Sequence, residues 1–435
     1  MSEAGDRTAI PAKLYMDDPD VSRQMPGGRI GLELETQRID RSGHLALTPN
    51  PFEDEPFIDR DFGEAQVEIN TPPASGTEEA EALLHGQLQI VQTKLAEKGE
   101  LLWPFSGPPA IRDDSEIRIA EYTGELQKKT VYRRYLAAKY GKRKMTLCGI
   151  HFNYSFPEEV IRKSYEDSGW TDFRTYRDQL YLQLAEKVLA YSWVPVALLS
   201  ASPLVDSSYF PVRREGNTVF TGYSSLRCSS EGYWNMFDPI LSYEDIFSYA
   251  ESIRTYRDKG LLRHEGELYY PVRIKPAGTY SLVGLRKDGV NHIELRMIDL
   301  NPLTLNGVDQ KDLRFLQLFL IWLASQDRPP LDAAGQRRAI RNQKAAARYD
   351  WSEVKIHAED EREIPLQQAL TEVLEDMTEL FCEKGSKWQD ALQHQTEKIR
   401  CPEARPARQV RELYGDAYLA KGLKRAEELQ EMLHV

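Results

Sequence analysis

In the stretch "RIGLELETQRID", residues 29–40, Ile30, Leu32 and Leu34 alternate with Gly31, Glu33 and Glu35. Strict alternation predicts a β-strand with one apolar and one polar face. Glu33 and Glu35 then leave the same face, about 7 Å apart along the strand. Either those carboxylates meet solvent or they hold something cationic.

Three more segments repeat the pattern. In "GEAQVEINTPP" (63–73), Glu64, Gln66, Glu68 and Asn70 oppose Ala65, Val67 and Ile69. In "GIHFNYSFP" (149–157), His151, Asn153 and Ser155 oppose Ile150, Phe152 and Tyr154. In "VNHIELRMIDLNP" (290–302), His292, Glu294 and Arg296 oppose Ile293, Leu295 and Met297. One antiparallel sheet with helices over its apolar face would gather Glu33, Glu35, Glu64, Glu68, His151 and Glu294 on the other. A single polar strand face is usually just solvated. Neighbouring strands avoid like charges, however, and two carboxylates 4 Å apart repel by roughly 4 kcal/mol at an effective dielectric of 20. Such a set asks for a compensating charge. Hard divalent cations with oxygen ligands supply one, and Mg²⁺ commonly works with phosphate substrates.

The 435 residues are 41% hydrophobic and 29% charged, as in a soluble globular protein. A net charge of −12 speaks against nucleic-acid or anionic-membrane partners, which need a basic face. It leaves room for a polyanion such as ATP where metal ions and local Arg or Lys offset the charge. Cys148, Cys228, Cys382 and Cys401 form no CxxC pair, so neither a structural zinc site nor a disulfide framework is expected. The polar N-terminus has no apolar signal core, and the longest apolar run, Phe315 to Ala324, is too short to span a bilayer. The expected location is the cytoplasm.

Residues 1–26 read as a mobile or loosely docked arm, 27–330 as a catalytic domain, and 331–435 as a helical continuation of it. Ser75 and Glu78 fit a capping box that opens a helix with Leu84, Leu88, Val91 and Leu95 on one stripe and Gly99 as its stop. A second helix is expected over 171–194, and strands over 146–156, 269–275 and 291–298. There is no GxxxxGK[ST] loop, HExxH or GxSxG. Arg133, Arg227, Arg273 and Lys275 stand near the aromatics Phe62, Tyr132, Tyr233 and Tyr269 in sequence. Taken singly, each of these is more often surface or packing than a ligand contact.

The blocks "GLELE", "DRDFGEAQVEINTPP", "LLWPFSGPP", "IRIAEYTG", "GIHFNYSFP", "YSSLR…GYWN", "ELYYPVRIK" and "HIELRMIDLNP" occur in this order. Together they resemble the bacterial glutamate–cysteine ligases, including the ligase half of fused glutathione synthetases. The resemblance runs through residues 29–325 and continues weakly to "CPEARPARQVRELY". It implies an α+β fold related to glutamine synthetase: about six antiparallel strands forming a funnel, with helices on the outer face. By this likeness Glu33, Glu35, Asp61, Glu68, His151 and Glu294 fall on positions that bind two or three Mg²⁺ ions, with Mn²⁺ as a possible substitute. Glu64 would stand behind them. Arg227 matches a glutamate-binding Arg, Arg296 the Arg beside the reacting phosphate, and Arg133 a basic residue near the same centre. Phe62, Tyr132, Tyr233 and Tyr269 match the wall of a cysteine pocket, and Lys275 and Arg348 match positions near ATP.

The implied activity joins L-glutamate to L-cysteine through a γ-glutamyl phosphate, with ATP as co-substrate. The partners are small molecules, with no nucleic acid or membrane among them, and oligomeric state is left open. No protein nucleophile is required, so none of the cysteines is expected to be catalytic. Leu34 stands where the family often has Arg, "MTLC" (145–148) departs from its usual Met-Gln, and Ser229–Ser230 replace its Ser-Asp. These departures keep two rivals in view. One is a related ligase with a different amine acceptor, and the other a nucleotide-binding homologue without turnover.

Overall fold

The computed structural model describes residues 11–212, 216–358, 360 and 362–434. Its strands are β1 (Arg29–Ile39), β2 (Ile58–Arg60), β3 (Gln66–Asn70), β4 (Leu101–Trp103), β5 (Ile150–Ser155), β6 (Leu204–Asp206), β7 (Thr218–Phe220), β8 (Val272–Lys275), β9 (His292–Ile298), β10 (Lys355–His357) and β11 (Glu363–Pro365). Seven of them form one sheet in the order β2-β3-β1-β5-β9-β8, with β4 paired to the far end of β1. Every pairing is antiparallel. β6–β7 and β10–β11 are separate two-stranded pairs. The fold is therefore the α+β arrangement expected, with β2 and β4 as strands the alternation did not single out.

The alternation sorts the two faces. Leu32, Leu34, Phe152, Tyr154, Ile293 and Leu295 are all buried in the main core. Helices Thr77–Lys98, Phe173–Tyr191 and Trp193–Leu199 pack against the strands from that side. Behind them lies helix Gln310–Ser325, whose Phe315–Ala324 run is wholly buried. At usual transfer values, each fully buried Leu or Phe here contributes about 1.5–3 kcal/mol.

Three local expectations change. The helix after β3 starts at Thr77 behind Gly76, with no side-chain cap. Ser75 gives its N–H to Glu79, not Glu78, and Glu78 is drawn off to Arg314 and Lys387. Gly99 does end that helix, in the left-handed conformation at φ 69°. Glu64 precedes β3, pairs with Arg60 at 2.7 Å and accepts from the Asn50 N–H, so it does not join the other carboxylates. Residues 1–10 of the expected arm lie outside the described residues, but 11–26 are not loosely docked. Ala12, Leu14, Val21 and Met25 are buried, and Leu14 N–H bonds the Ala324 carbonyl at 2.9 Å. The polar C-terminal stretch forms helices 333–346, 366–380, 386–400, 406–414 and 418–433.

Candidate active site

Register assembles the polar face. Glu33 on β1 lies opposite His151 on β5, and Asn153 opposite Glu294 on β9. Arg273 on β8 lies opposite Glu294. Between Ile150↔Ile298 and Phe152↔Leu295 the pairing slips, so that Arg296 and Met297 together face His151. Such bulges re-aim side chains and are frequent beside active sites.

The carboxylates divide into two groups by charge balance. Around Glu294 the compensation is dense. Arg296 donates to it at 2.9 Å, Lys275 reaches it at 3.4 Å and Arg273 at 3.5 Å. Burial opposes its charge, but Arg296, Lys275 and Arg273 outweigh that and hold the carboxyl well below the usual range. Glu33 accepts from Lys275 at 3.0 Å and from Asn153 at 3.0 Å. Burial and the Glu294 charge push Glu33 up, yet His151 and Lys275 bring it down to about 2. His151 lies 3.1 Å from Glu33, 3.6 Å from Glu35 and 3.7 Å from Glu294. Burial and the nearby Arg296 depress it to about 4, so it is a neutral imidazole at pH 7.

The second group has too little positive charge. Glu35 and Glu68 face each other across β1 and β3, and Asp61 follows β2 directly. Burial first, then Asp61 and Glu68, push Glu35 well above the ordinary range despite Arg227. Burial, Glu33 and Asp61 push Glu68 up to about 8. Asp61 is also raised, mainly by burial, although Arg133 and Arg296 oppose the shift.

These donors fit divalent cations. Ligand atoms of Glu33, His151 and Glu294 lie within 4.8 Å of one another, and Glu35, Asp61 and Glu68 add oxygens whose ionisation lacks compensation. A separate trio, Asp309, Asp312 and His394, is also close enough for a metal. There, however, Lys398 already pairs with Asp312 at 2.6 Å.

The basic and aromatic residues surround this face. Arg227 is 5% exposed, donates to the Ile298 carbonyl at 3.2 Å and lies 3.4 Å from His151 Nε2. Gly149 makes room for it, since a Cβ there would stand 2.5 Å from Arg227 Cζ. Arg133, on helix Gln127–Tyr140, donates to the carbonyls of Asp61 and Arg60 and stacks on Tyr122 at 5.0 Å. It thus braces the backbone that presents Asp61. Tyr233 and Tyr269 meet edge to face at 4.8 Å, while Phe62 packs in a cluster that includes Tyr132 and Tyr269. A cavity of ≈ 40 Å³ opens among Arg227, Tyr233, Tyr269, Arg296, Met297 and Gln343. Lys275 lies between Glu33 and Glu294, deeper in the carboxylate group than a nucleotide contact suggests. Arg348 is exposed and joins this region through a backbone bridge to Tyr223.

A family model for glutamate–cysteine ligase matches residues 15–259 and 239–346, a span that holds every strand of the main sheet and all these side chains but Arg348. The chain belongs to the glutamate–cysteine ligase family. The glutamate–cysteine ligase of Clostridium acetobutylicum is 30% identical over 466 residues, covering 93% of this chain and 96% of that protein. The glutathione biosynthesis bifunctional protein of Listeria monocytogenes is 33% identical over 442 residues, covering 97% of this chain and 57% of that one. The chain thus spans about half the length of the bifunctional relatives it matches. The crystal structure of Francisella tularensis glutamate–cysteine ligase in complex with AMP superposes with TM-score 0.85 at 21% identity, over 94% of this chain and 89% of that one, which establishes the shared fold.

Within this glutamate–cysteine ligase fold, Gln343 escaped the sequence reading, and two residues it noted were given no role there. Arg273 and Asn153 were visible on their strands, but their contacts with Glu294 and Glu33 depend on cross-strand register. Gln343 lies on helix Ala333–Ala346, far along the chain from any motif. Its only signal is a polar residue at a buried helical position.

Proposed function

We propose that this ligase-family chain forms γ-glutamylcysteine from L-glutamate, L-cysteine and ATP, in the cytoplasm, with residues 27–330 carrying the catalytic sheet and 331–435 completing the same domain. The observation that carries this reading is the under-compensated group Glu35, Asp61 and Glu68, set beside Arg227, Arg296 and the aromatic cavity. Acids are not kept in that state for stability. Perturbed carboxyls in a cleft favour a functional assignment.

Glu33, Glu35, Asp61, Glu68, His151 and Glu294 would hold Mg²⁺. When bound, Mg²⁺ neutralises phosphoryl charge and aligns donor with acceptor. The γ-carboxylate of glutamate takes the γ-phosphoryl of ATP, breaking the bond to ADP and giving an acyl phosphate. The amine of cysteine then attacks the acyl carbon, and phosphate leaves. Arg227 holds the α-carboxylate of glutamate. Arg296, whose cationic form is reinforced by Glu294 against the cost of burial, stabilises the oxyanion and the departing phosphate. Arg133 keeps Asp61 in place. Phe62, Tyr132, Tyr233 and Tyr269 shield the acyl phosphate from water and seat the thiol side chain. Lys275 orders Glu33 and Glu294 and turns toward phosphate when ATP enters, while Arg348 approaches the nucleotide from the rim.

A different amine acceptor is the second reading. Met145, in the segment that departs from the family pattern, touches the Tyr269 hydroxyl at 4.0 Å, so the altered segment borders the acceptor pocket. The deciding experiment is ADP release with Mg²⁺, ATP and glutamate, with and without cysteine, and the product identified by mass. Cysteine-dependent ADP and γ-glutamylcysteine support the first reading. Turnover with another amine alone supports the second, and ATP binding without turnover rejects both.

A further inference from the structure

Gln343 is 2% exposed, and its Oε1 has no hydrogen-bond partner among the described residues. Buried carbonyl oxygens are nearly always paired, because leaving one dry forfeits its hydration. Gln343 lines the same small cavity as Arg227 and Arg296. Arg227 Nε is likewise buried and unpartnered. Two residues that line the cavity therefore each keep an unpartnered buried atom, an acceptor on Gln343 and a cationic donor on Arg227.

Their relative placement is fixed. Ala347, which closes the Gln343 helix, accepts the Ser224 N–H at 2.7 Å, three residues before Arg227. Lys344 stacks on Trp234 at 4.4 Å on the other side. The helix end and the Arg227 segment thus move as one unit. A lone water would donate to Gln343 Oε1 and accept from Arg227 Nε–H equally well, so it is the reading of Arg227 as the glutamate anchor that selects an amino acid. An α-amino acid presents a carboxylate and an ammonium on one carbon. That is the complement of Arg227 and Gln343.

We propose that Gln343 is a specificity-determining contact: its carboxamide oxygen accepts from the α-ammonium of the amino acid whose α-carboxylate lies on Arg227. This rests on the reading of Arg227 as the glutamate anchor and extends it to the second α-substituent. The site would distinguish glutamate from a plain dicarboxylic acid by a buried acceptor left unpaired when the ammonium is missing.

The test compares kcat/KM for glutamate with that for glutarate, which has both carboxylates and no ammonium, in wild type, Gln343→Leu and Gln343→Glu. Gln343→Leu should lower the glutamate-to-glutarate preference tenfold or more, with KM for cysteine and ATP changed less than twofold. Gln343→Glu keeps an acceptor and should keep the preference. A folded Gln343→Leu protein with the wild-type preference overturns the proposal. So does an equal loss with both acids, which marks a structural role. If the wild type does not turn over glutamate and cysteine, the functional reading fails by itself. Calorimetric titration of wild type and Gln343→Leu with glutamate then decides the proposal: tenfold weaker binding to the variant supports it, and equal or absent binding overturns it.

Discussion

Glu68→Gln should raise stability and abolish catalysis together. In the metal-free protein Glu68 is surrounded by acids. Glu35 lies opposite it on β1 and Asp59 on β2, with Asp61 and Glu33 adding charge and, among the described residues, only the Asn70 amide donating, at 3.3 Å. Its carboxyl is raised from 4.5 to about 8. Below about pH 4.5 it is protonated folded and unfolded, and costs nothing. As pH rises the unfolded chain ionises first, so stability falls until the folded group also ionises near pH 8. At pH 7 the ceiling on this cost is about 3 kcal/mol, and partial solvent access reduces it to about 1–3 kcal/mol. Gln removes the charge and keeps the shape. For a chain of 435 residues, roughly 2 cal/mol/K per residue converts each kcal/mol to about 1 °C. Melting without metal at pH 7 should therefore show a gain of about 1–3 °C, which vanishes near pH 4.5. The rate of ADP release should drop more than about 10²-fold, as for loss of a major charge stabiliser. Mg²⁺ should raise the wild-type midpoint more than the variant's. A variant that is fully active, or less stable at pH 7 without metal, would refute the reasoning.

Gly149→Ala places a Cβ 2.5 Å from Arg227 Cζ, so the guanidinium must move; KM for glutamate should rise about tenfold or more, and an unchanged KM would separate Arg227 from glutamate binding. Lys187 is 6% exposed and donates to the Gln326 carbonyl, and burial depresses it from 10.5 to about 8. Below pH 8 the folded state bears the full cost of its charge, and stability rises with pH from there to 10.5. Lys187→Met should therefore stabilise by up to about 3 kcal/mol at pH 7 and by little above pH 10, measured by denaturant titration. Cys148→Ala and Cys228→Ala should each keep activity within about threefold, at a cost of about 1 kcal/mol for the small cavity, because both thiols are buried and burial raises their pKa. A rate loss beyond 10²-fold in either would mean a protein nucleophile.

The faces of β1, β3, β5 and β9 were legible because side chains alternate with period two and water sorts them. Leu34 makes the point. The resemblance leads one to expect Arg there, yet Leu34 packs into the core at 3% exposure, where alternation puts it. What was not legible depends on partners distant in sequence. The Arg296–Met297 bulge that aims His151 arises only when β5 meets β9. Glu64 fits the alternation of its segment but pairs with Arg60 in a turn, since period two says nothing about where a strand begins. Lys275 was placed near phosphate by likeness, and its ion pairs with Glu33 and Glu294 come from the meeting of three strands. The capping box failed because Ser-x-x-Glu is a short signal and Arg314 and Lys387 compete for Glu78.

The last helix bears on how the protein is made. β4 presents Trp103 to Tyr418 at 5.4 Å between ring centres, and Gly422 leaves room against the Trp103 ring, where a Cβ would approach to 2.4 Å. Tyr418 also bonds the Gly107 carbonyl at 3.0 Å. During synthesis β4 emerges long before its cover, and at about 5–20 residues per second roughly 20–60 s separate the two. For that interval the Trp103 side of the sheet is open to the cell. A chaperone, or a slow stretch of translation, has its natural place of action there, and chains released early would carry a competent set of acids on a sheet with one flank unsealed.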